Sequence, residues 1–299
     1  MRSCLFCIWG FILIVVGASF CSIANSDNEQ WILFDSDRDG ASNLYLMRPD
    51  GTGLHQLTAQ SSWDCCGTFS PDGRTIAFSS NRAGRFSIYT LDVATEEVVR
   101  LIASTYDAFY PQWSPDGRTL AFAMQHPVGG ELYTYDLDTE ELARLTDNSV
   151  EDVSPVWSPD GARLAYISGP IGSPQLWILD LASSSSTLAV DDYVGAGYPR
   201  WSPDGKSILF SATGPGLHNS ELFILNTVSS EVQQITNHRL VDEFGIWSPL
   251  GDQVVFNSYR TGNPEVFVLE LATGILRQLT SNSAGDTPSD WCRCDGAEG

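Results

Sequence analysis

Apolar positions along this chain fall into short runs, four to seven residues long, bounded by Gly, Pro, Asp or Asn, which is the pattern of strands separated by turns. One unit can be followed from Pro111 to Thr146. Pro111-Gln112-Trp113 reads as a first strand and Leu120-Ala121-Phe122 as a second with alternating apolar positions. Glu131 to Leu137 gives a third, and Leu142 to Thr146 a fourth. Between the first two stands Ser114-Pro115-Asp116-Gly117. Pro presets φ at the second turn position and Gly accepts a left-handed backbone at its end. The aromatic that opens this phrase recurs at Phe69, Trp113, Trp157, Trp201, Trp247 and Trp291, with gaps of 44, 44, 44, 46 and 44 residues. A period near 44 with four strand signals per unit predicts an all-β propeller of four-stranded antiparallel blades.

The ends of the repeat fix the blade number at six. Trp31 to Phe34 lies 44 residues before Thr75 to Phe78, so the first unit begins at its second strand. The last unit holds only Asp286 to Trp291. The two fragments make one blade, so the C-terminal strand is expected to join the N-terminal blade. Closure of that kind removes exposed sheet edges. The opening Trp of each unit is expected to pack between neighbouring blades.

Residues 25–299 are therefore read as one propeller domain, and residues 1–24 stand outside it. Arg2 is followed by an uncharged stretch from Ser3 to Asn25 with an apolar centre at Leu5 to Val16. That is a secretory signal, cleaved after Ser19 or Ala24, or an uncleaved N-terminal membrane anchor. Both place the propeller outside the cytoplasm. Cys21 suggests lipidation, but Phe20 occupies a place that such sites give to a small residue.

Export permits disulfides. Cys65 lies four residues before its unit's aromatic and Cys292 one residue after, which sets them roughly 16 Å apart at about 3.3 Å per residue. A disulfide does not span that distance. Local pairing or free thiols remain for Cys65, Cys66, Cys292 and Cys294. The 37 acidic against 16 basic residues give a net charge of −21, which repels nucleic acid and anionic membranes and favours cationic partners.

Acidic residues gather in the loops that lead into the inner strands: Asp64, Asp107, Asp152, Asp242 and Asp286. Four of them sit five residues before the opening aromatic. Ring symmetry then predicts a partial crown of carboxylates around one mouth of the channel, a candidate surface for a protein partner. Asp35-Ser36-Asp37-Arg38-Asp39-Gly40 matches the start of a calcium loop, but Leu46 stands where the bidentate Glu belongs. Ser80 to Gly84 and Ser258 to Gly262 hold the same place in other units, so the segment reads as a hairpin connection. His126, His218 and His238 fall on the crown's side, and a metal-dependent lyase or hydrolase, or a carbohydrate-binding propeller, is the alternative they support. No nucleophile elbow or Cys-x-x-Cys pair is present, and the residues call for no cofactor.

The Trp-Ser-Pro-Asp-Gly phrases at 113–117, 157–161 and 201–205, Ser-Asp-Arg-Asp-Gly at 36–40, and the Leu-Thr closes at 57–58, 145–146 and 279–280 resemble the WD-repeat-like propeller of the TolB family. The resemblance spans roughly residues 31 to 291. Phe69, Leu250 and Cys292-Arg293-Cys294 depart from it. It implies a periplasmic, non-enzymatic, monomeric module of the cell envelope that binds an envelope protein or a lipoprotein such as Pal. The family's N-terminal α/β domain has no counterpart in this sequence.

Overall fold

The computed structural model describes residues 29–170 and 172–294. The signal or anchor expected over residues 1–24 lies outside them. Within them, 24 strands form six four-stranded antiparallel sheets. Each inner strand packs on the next, and the last packs on the first, so the sheets close around an axis as six blades. The expected architecture is the one observed.

Closure occurs in the blade made of Asp286–Cys294, Glu29–Ser36, Asn43–Met47 and His55–Gln56. The C-terminal strand pairs with the N-terminal one from Ser36↔Asp286 to Glu29↔Cys294. Each second strand then buries one large aromatic from its apolar face. Phe34, Phe78, Phe122, Phe210 and Phe256 are fully buried, and Tyr166 holds the place in the fourth blade. Most face a third-strand ring, as Phe78 faces Tyr89 at 5.9 Å and Phe34 faces Tyr45 at 5.6 Å. Such pairs add to what area burial alone contributes.

The recurring Trp does sit between blades. Trp157 Nε1 donates to the Gln112 carbonyl of the preceding blade at 3.3 Å, and Trp247 Nε1 to the Arg200 carbonyl at 3.1 Å.

The two polar signatures of the repeat satisfy backbone groups at strand ends. In Ser114-Pro115-Asp116-Gly117 the Ser hydroxyl donates to Asp116 at 2.6 Å and accepts from Thr119 N at 2.9 Å. Gly117, at φ +71°, donates its N–H to the Ser114 carbonyl. Where Leu250 replaces the turn's Asp, Ser248 donates instead to Asp252 at 2.8 Å. The Leu-Thr close works on the other side of the blade. Thr146, Thr236 and Thr280 accept from the N–H of Leu132, Leu222 and Val266 and donate at 2.6 Å to buried Glu131, Glu221 and Glu265. A buried carboxylate is tolerable where donors satisfy it in this way.

Candidate binding site at the channel mouth

Five of the six inner strands break their ladder three residues before the opening aromatic. The register slips between Cys65 and Thr68, Phe109 and Gln112, Val153 and Val156, Gly197 and Arg200, and Glu243 and Ile246. At each slip one non-glycine residue is left-handed: Cys66, Tyr110, Ser154, Tyr198 and Phe244, with φ between +52° and +61°. The sixth equivalent is Pro288, whose ring holds φ negative. A β-bulge re-aims a side chain, and aromatic residues held at positive φ are uncommon enough to mark a strained site. All six of these residues line one cavity of about 270 Å³ on the propeller axis.

A second cavity of about 310 Å³ adjoins it and shares Tyr110, Ser154 and Tyr198. The aromatic wall between the two is built by Tyr198 stacked on Phe244 at 3.7 Å and by Tyr110 edge-on to Tyr198 at 6.4 Å. Burial pushes both tyrosine hydroxyls above their usual pKa.

Charged groups face this wall from both sides. Asp35 lines the axial cavity, where Ser289 Oγ donates to it at 2.8 Å. Burial pushes its pKa up to about 6, against the opposing effect of that hydrogen bond and of the Cys66 N–H. Glu243 lines the adjoining cavity, and its pKa is likewise raised by burial. Arg200 also reaches the axial cavity but is already engaged, donating to the carbonyls of Pro199 and Ser289 at 3.1 and 3.2 Å. Asp290 offsets its charge. The Cys66 thiol donates to Cys65 at 2.9 Å, and that contact together with burial raises the Cys65 pKa well above the usual thiol value. Cys65 and Cys66 are free thiols.

The carboxylates expected to form an exposed crown are placed differently. Asp64, Asp152, Asp242 and Asp286 are 0% exposed. Arg82, Arg260 and Arg38 clamp Asp64, Asp242 and Asp286 at 2.7, 2.8 and 2.9 Å. Asp152 accepts from Asn148 at 2.6 Å, and Pro170 stands where those three blades carry the arginine. Four of the five thus brace the mouth from inside rather than present charge at its rim, because an unpaired carboxylate in these tightly packed loops would lose its hydration. Asp107 alone of the five keeps part of its side chain in solvent, while accepting from Phe86 N at 3.0 Å.

The calcium-like segment also disperses. Asp35 turns to the channel, Asp37 accepts from Gly285 N, and Asp39 accepts from the Tyr45 hydroxyl. His126 contacts Tyr133, and the His238 ring accepts from Leu240 N within its own loop. Among the described residues no group of three or more His, Cys, Asp or Glu side chains converges on a common point.

The family description of the TolB beta propeller domain matches residues 92–195 and again 153–297. The chain belongs to the TolB beta-propeller family. Among solved structures, TolB from Acinetobacter baumannii superposes with a TM-score of 0.79 at 22% identity, covering 91% of this chain and 68% of that one. The TolB-like protein of Agrobacterium tumefaciens gives 0.67 at 20% identity, covering 85% and 90%. A manganese complex of oligogalacturonate lyase gives 0.62 at 16% identity, covering 85% and 74%. At these identities the likenesses are of fold. No curated protein sequence matches the chain.

Proposed function

We propose that this TolB-family propeller is an exported, non-enzymatic interaction module of the cell envelope whose protein partner docks on the face carrying the lead-in loops. One observation supports this reading above the others. Trp63, Tyr106, Val128, Val194, Leu240 and Tyr259, all exposed large apolar side chains, stand on the loops and strand ends of that single face. Trp63 is 57% exposed and also lines the axial cavity. Aromatic residues around a concavity are the composition of protein interfaces, and exposed Trp and Tyr are the residues most apt to become their energetic centres. The net charge of −21 makes a partner with a cationic surface the complementary one. Membership of the family adds a partner class, an envelope protein or a lipoprotein such as Pal. The buried aspartates serve this face by holding its loops, with Asp107 at its rim.

The test is crosslinking capture from the native envelope with the full chain as bait, beside Trp63→Ala and Tyr259→Ala variants checked for unchanged melting temperature. A partner held by the wild type and lost by both variants supports the face. A partner held equally by all three places its site elsewhere.

A further inference from the structure

We propose that the aromatic wall of Tyr110, Tyr198 and Phe244, with Asp35 on one side and Glu243 on the other, is a receptor for an alkylammonium group, delivered as a lysine side chain from an extended segment of the partner. The inference deepens the docking reading above and rests on it for the source of the ligand. The site itself is argued from the channel.

Three features converge. First, five blades hold a non-glycine residue at positive φ at the same place, which is energetically costly and which serves no pairing, since the ladder breaks there. What the bulge achieves is to put those side chains on the axis, and in three of five blades the side chain is an aromatic ring. Second, the rings are clustered, with Tyr198 and Phe244 stacked and Tyr110 edge-on, and both cavities open against them. Ring faces attract cations, and desolvation strengthens the attraction. Third, the two carboxylates beside the rings carry no counter-cation. Among the described residues neither Asp35 nor Glu243 makes an ion pair. The groups acting on Asp35 are the Ser289 hydroxyl, backbone N–H groups and the like charge of Asp286. Arg200, the cation in the cavity, is held by two carbonyls and balanced by Asp290. The channel therefore has aromatic surface and two carboxylates without an ion pair, and its resident cation, Arg200, is already engaged elsewhere. An ammonium on a slender apolar stem matches it, whereas an anion would meet two carboxylates and a neutral apolar group would leave them unpaired.

The experiment titrates the full chain with the capped pentapeptide acetyl-Gly-Ala-Lys-Ala-Gly-amide and with its norleucine counterpart, followed by saturation-transfer NMR. Binding of the lysine peptide at least tenfold tighter than the norleucine peptide is expected, with three- to tenfold losses in Phe244→Leu and in Asp35→Asn. Asp35→Asn keeps the shape of the site, so its loss cannot be laid to misfolding if its melting temperature does not fall. Equal binding of the two peptides, or lysine binding untouched by both variants, overturns the proposal. Capture experiments separate it from the docking reading. A partner lost by Trp63→Ala but retained by Phe244→Leu and Asp35→Asn sinks the ammonium site and leaves the face standing. Lysine-selective binding in the channel, with partner capture indifferent to Trp63 and Tyr259, does the reverse.

Discussion

Arg82 closes over Asp64 with Nη2 2.7 Å from Oδ2, and Ser80 completes the unit by donating to Asp64 at 2.5 Å while accepting from Arg82 Nε at 2.9 Å. The guanidinium lies over the Phe78 and Tyr89 rings, 5.1 and 5.0 Å from their centroids. One arginine thus ties the lead-in loop, the second strand and the aromatic core of its blade together. The arginine clamp, its contact with the serine and its place over two rings recur, without the serine-to-aspartate bond, as Asp242, Ser258 and Arg260 over Phe256 and Phe267, and as Asp286, Ser36 and Arg38 over Phe34 and Tyr45.

Removing the cation from such a unit strands a carboxylate with no exposed surface, and breaking a buried pair from one side costs about 3 to 5 kcal/mol. Arg82 is itself partly exposed, so Arg82→Met is expected at the lower end of that range, read as a fall in the urea midpoint. Asp152 supplies the contrast. It has no arginine and burial raises its pKa, so its charged form opposes folding at neutral pH. Asp152→Asn, which keeps the shape, is expected to leave the midpoint unchanged or raise it. A loss at Asp152 as large as that at Arg82 would contradict the assignment of the arginine as the stabilising member.

Asp35 makes stability depend on pH in a direction opposite to that of a salt-bridged carboxylate. Its pKa is raised from 3.8 to about 6 on folding, so the folded state binds the extra proton in that interval. The protonated side chain's contribution is complete below about pH 4 and is lost as pH rises through 6, amounting to at most about 3 kcal/mol at roughly 1.4 kcal/mol per pKa unit. Asp35→Asn is expected to stabilise the protein at pH 7.5 and to have little effect at pH 4. Thermal unfolding of both forms across that range checks it. A destabilising acid kept in a cavity is also what a binding site carries when ligand supplies the missing charge.

Ser248 shows how the turn survives the loss of its Asp. Since Asp252 accepts the hydroxyl that Asp116 accepts in Ser114-Pro115-Asp116-Gly117, the two should respond alike to truncation. Asp252→Ala and Asp116→Ala are each expected to lower stability by about 1 kcal/mol, the usual net worth of such a hydrogen bond. Leu250→Asp is expected to change little, because the hydroxyl is already satisfied. A gain above about 1 kcal/mol for Leu250→Asp would show that Asp252 is an inferior substitute.

The architecture was legible because the repeat wrote each element several times, and the aromatic at Phe69 and its five equivalents marks the same structural place in every blade. The channel was harder to see for a local reason. Strict alternation along Asp64–Phe69 assigns faces by counting back from Phe69, but the bulge inserts a residue and reverses the faces beyond it. Cys66, Tyr110, Tyr198 and Phe244 therefore carry no signal in strict alternation, and their one sequence mark is that three aromatics stand three residues before the opening Trp. The aspartates misled for a related reason. Asp in a lead-in loop suits both a solvated rim and a buried brace, and the deciding partner, Arg82 or Arg260, lies about 18 residues away, a separation set by the fold rather than by any local motif. The arginine was present in the Ser-x-Arg connections at Ser36, Ser80 and Ser258, read only as hairpin turns.

Closure of the ring should be separable from the stability of its blades. The strand Asp286–Cys294 supplies the inner edge of the first blade, covers Glu29–Ser36 along its length, and carries Asp286 to Arg38 and Ser289 to Asp35. Deleting residues 286–299 leaves that N-terminal strand as an open edge with Ile32 and Phe34 exposed to a gap, and open apolar edges pair with other chains. The truncated protein is expected to elute as oligomers in size-exclusion chromatography, with the five intact blades keeping most of the far-ultraviolet β signal. A synthetic peptide of residues 284–295, added in excess, should restore the monomer and raise the melting temperature with its concentration, since it binds the folded form alone. Recovery by that peptide but not by one in which Trp291 is replaced by Ala would locate the closing energy in the Trp packed between the last blade and the first. A truncated chain that stays monomeric and melts with the wild type would show that the blades need no closing strand.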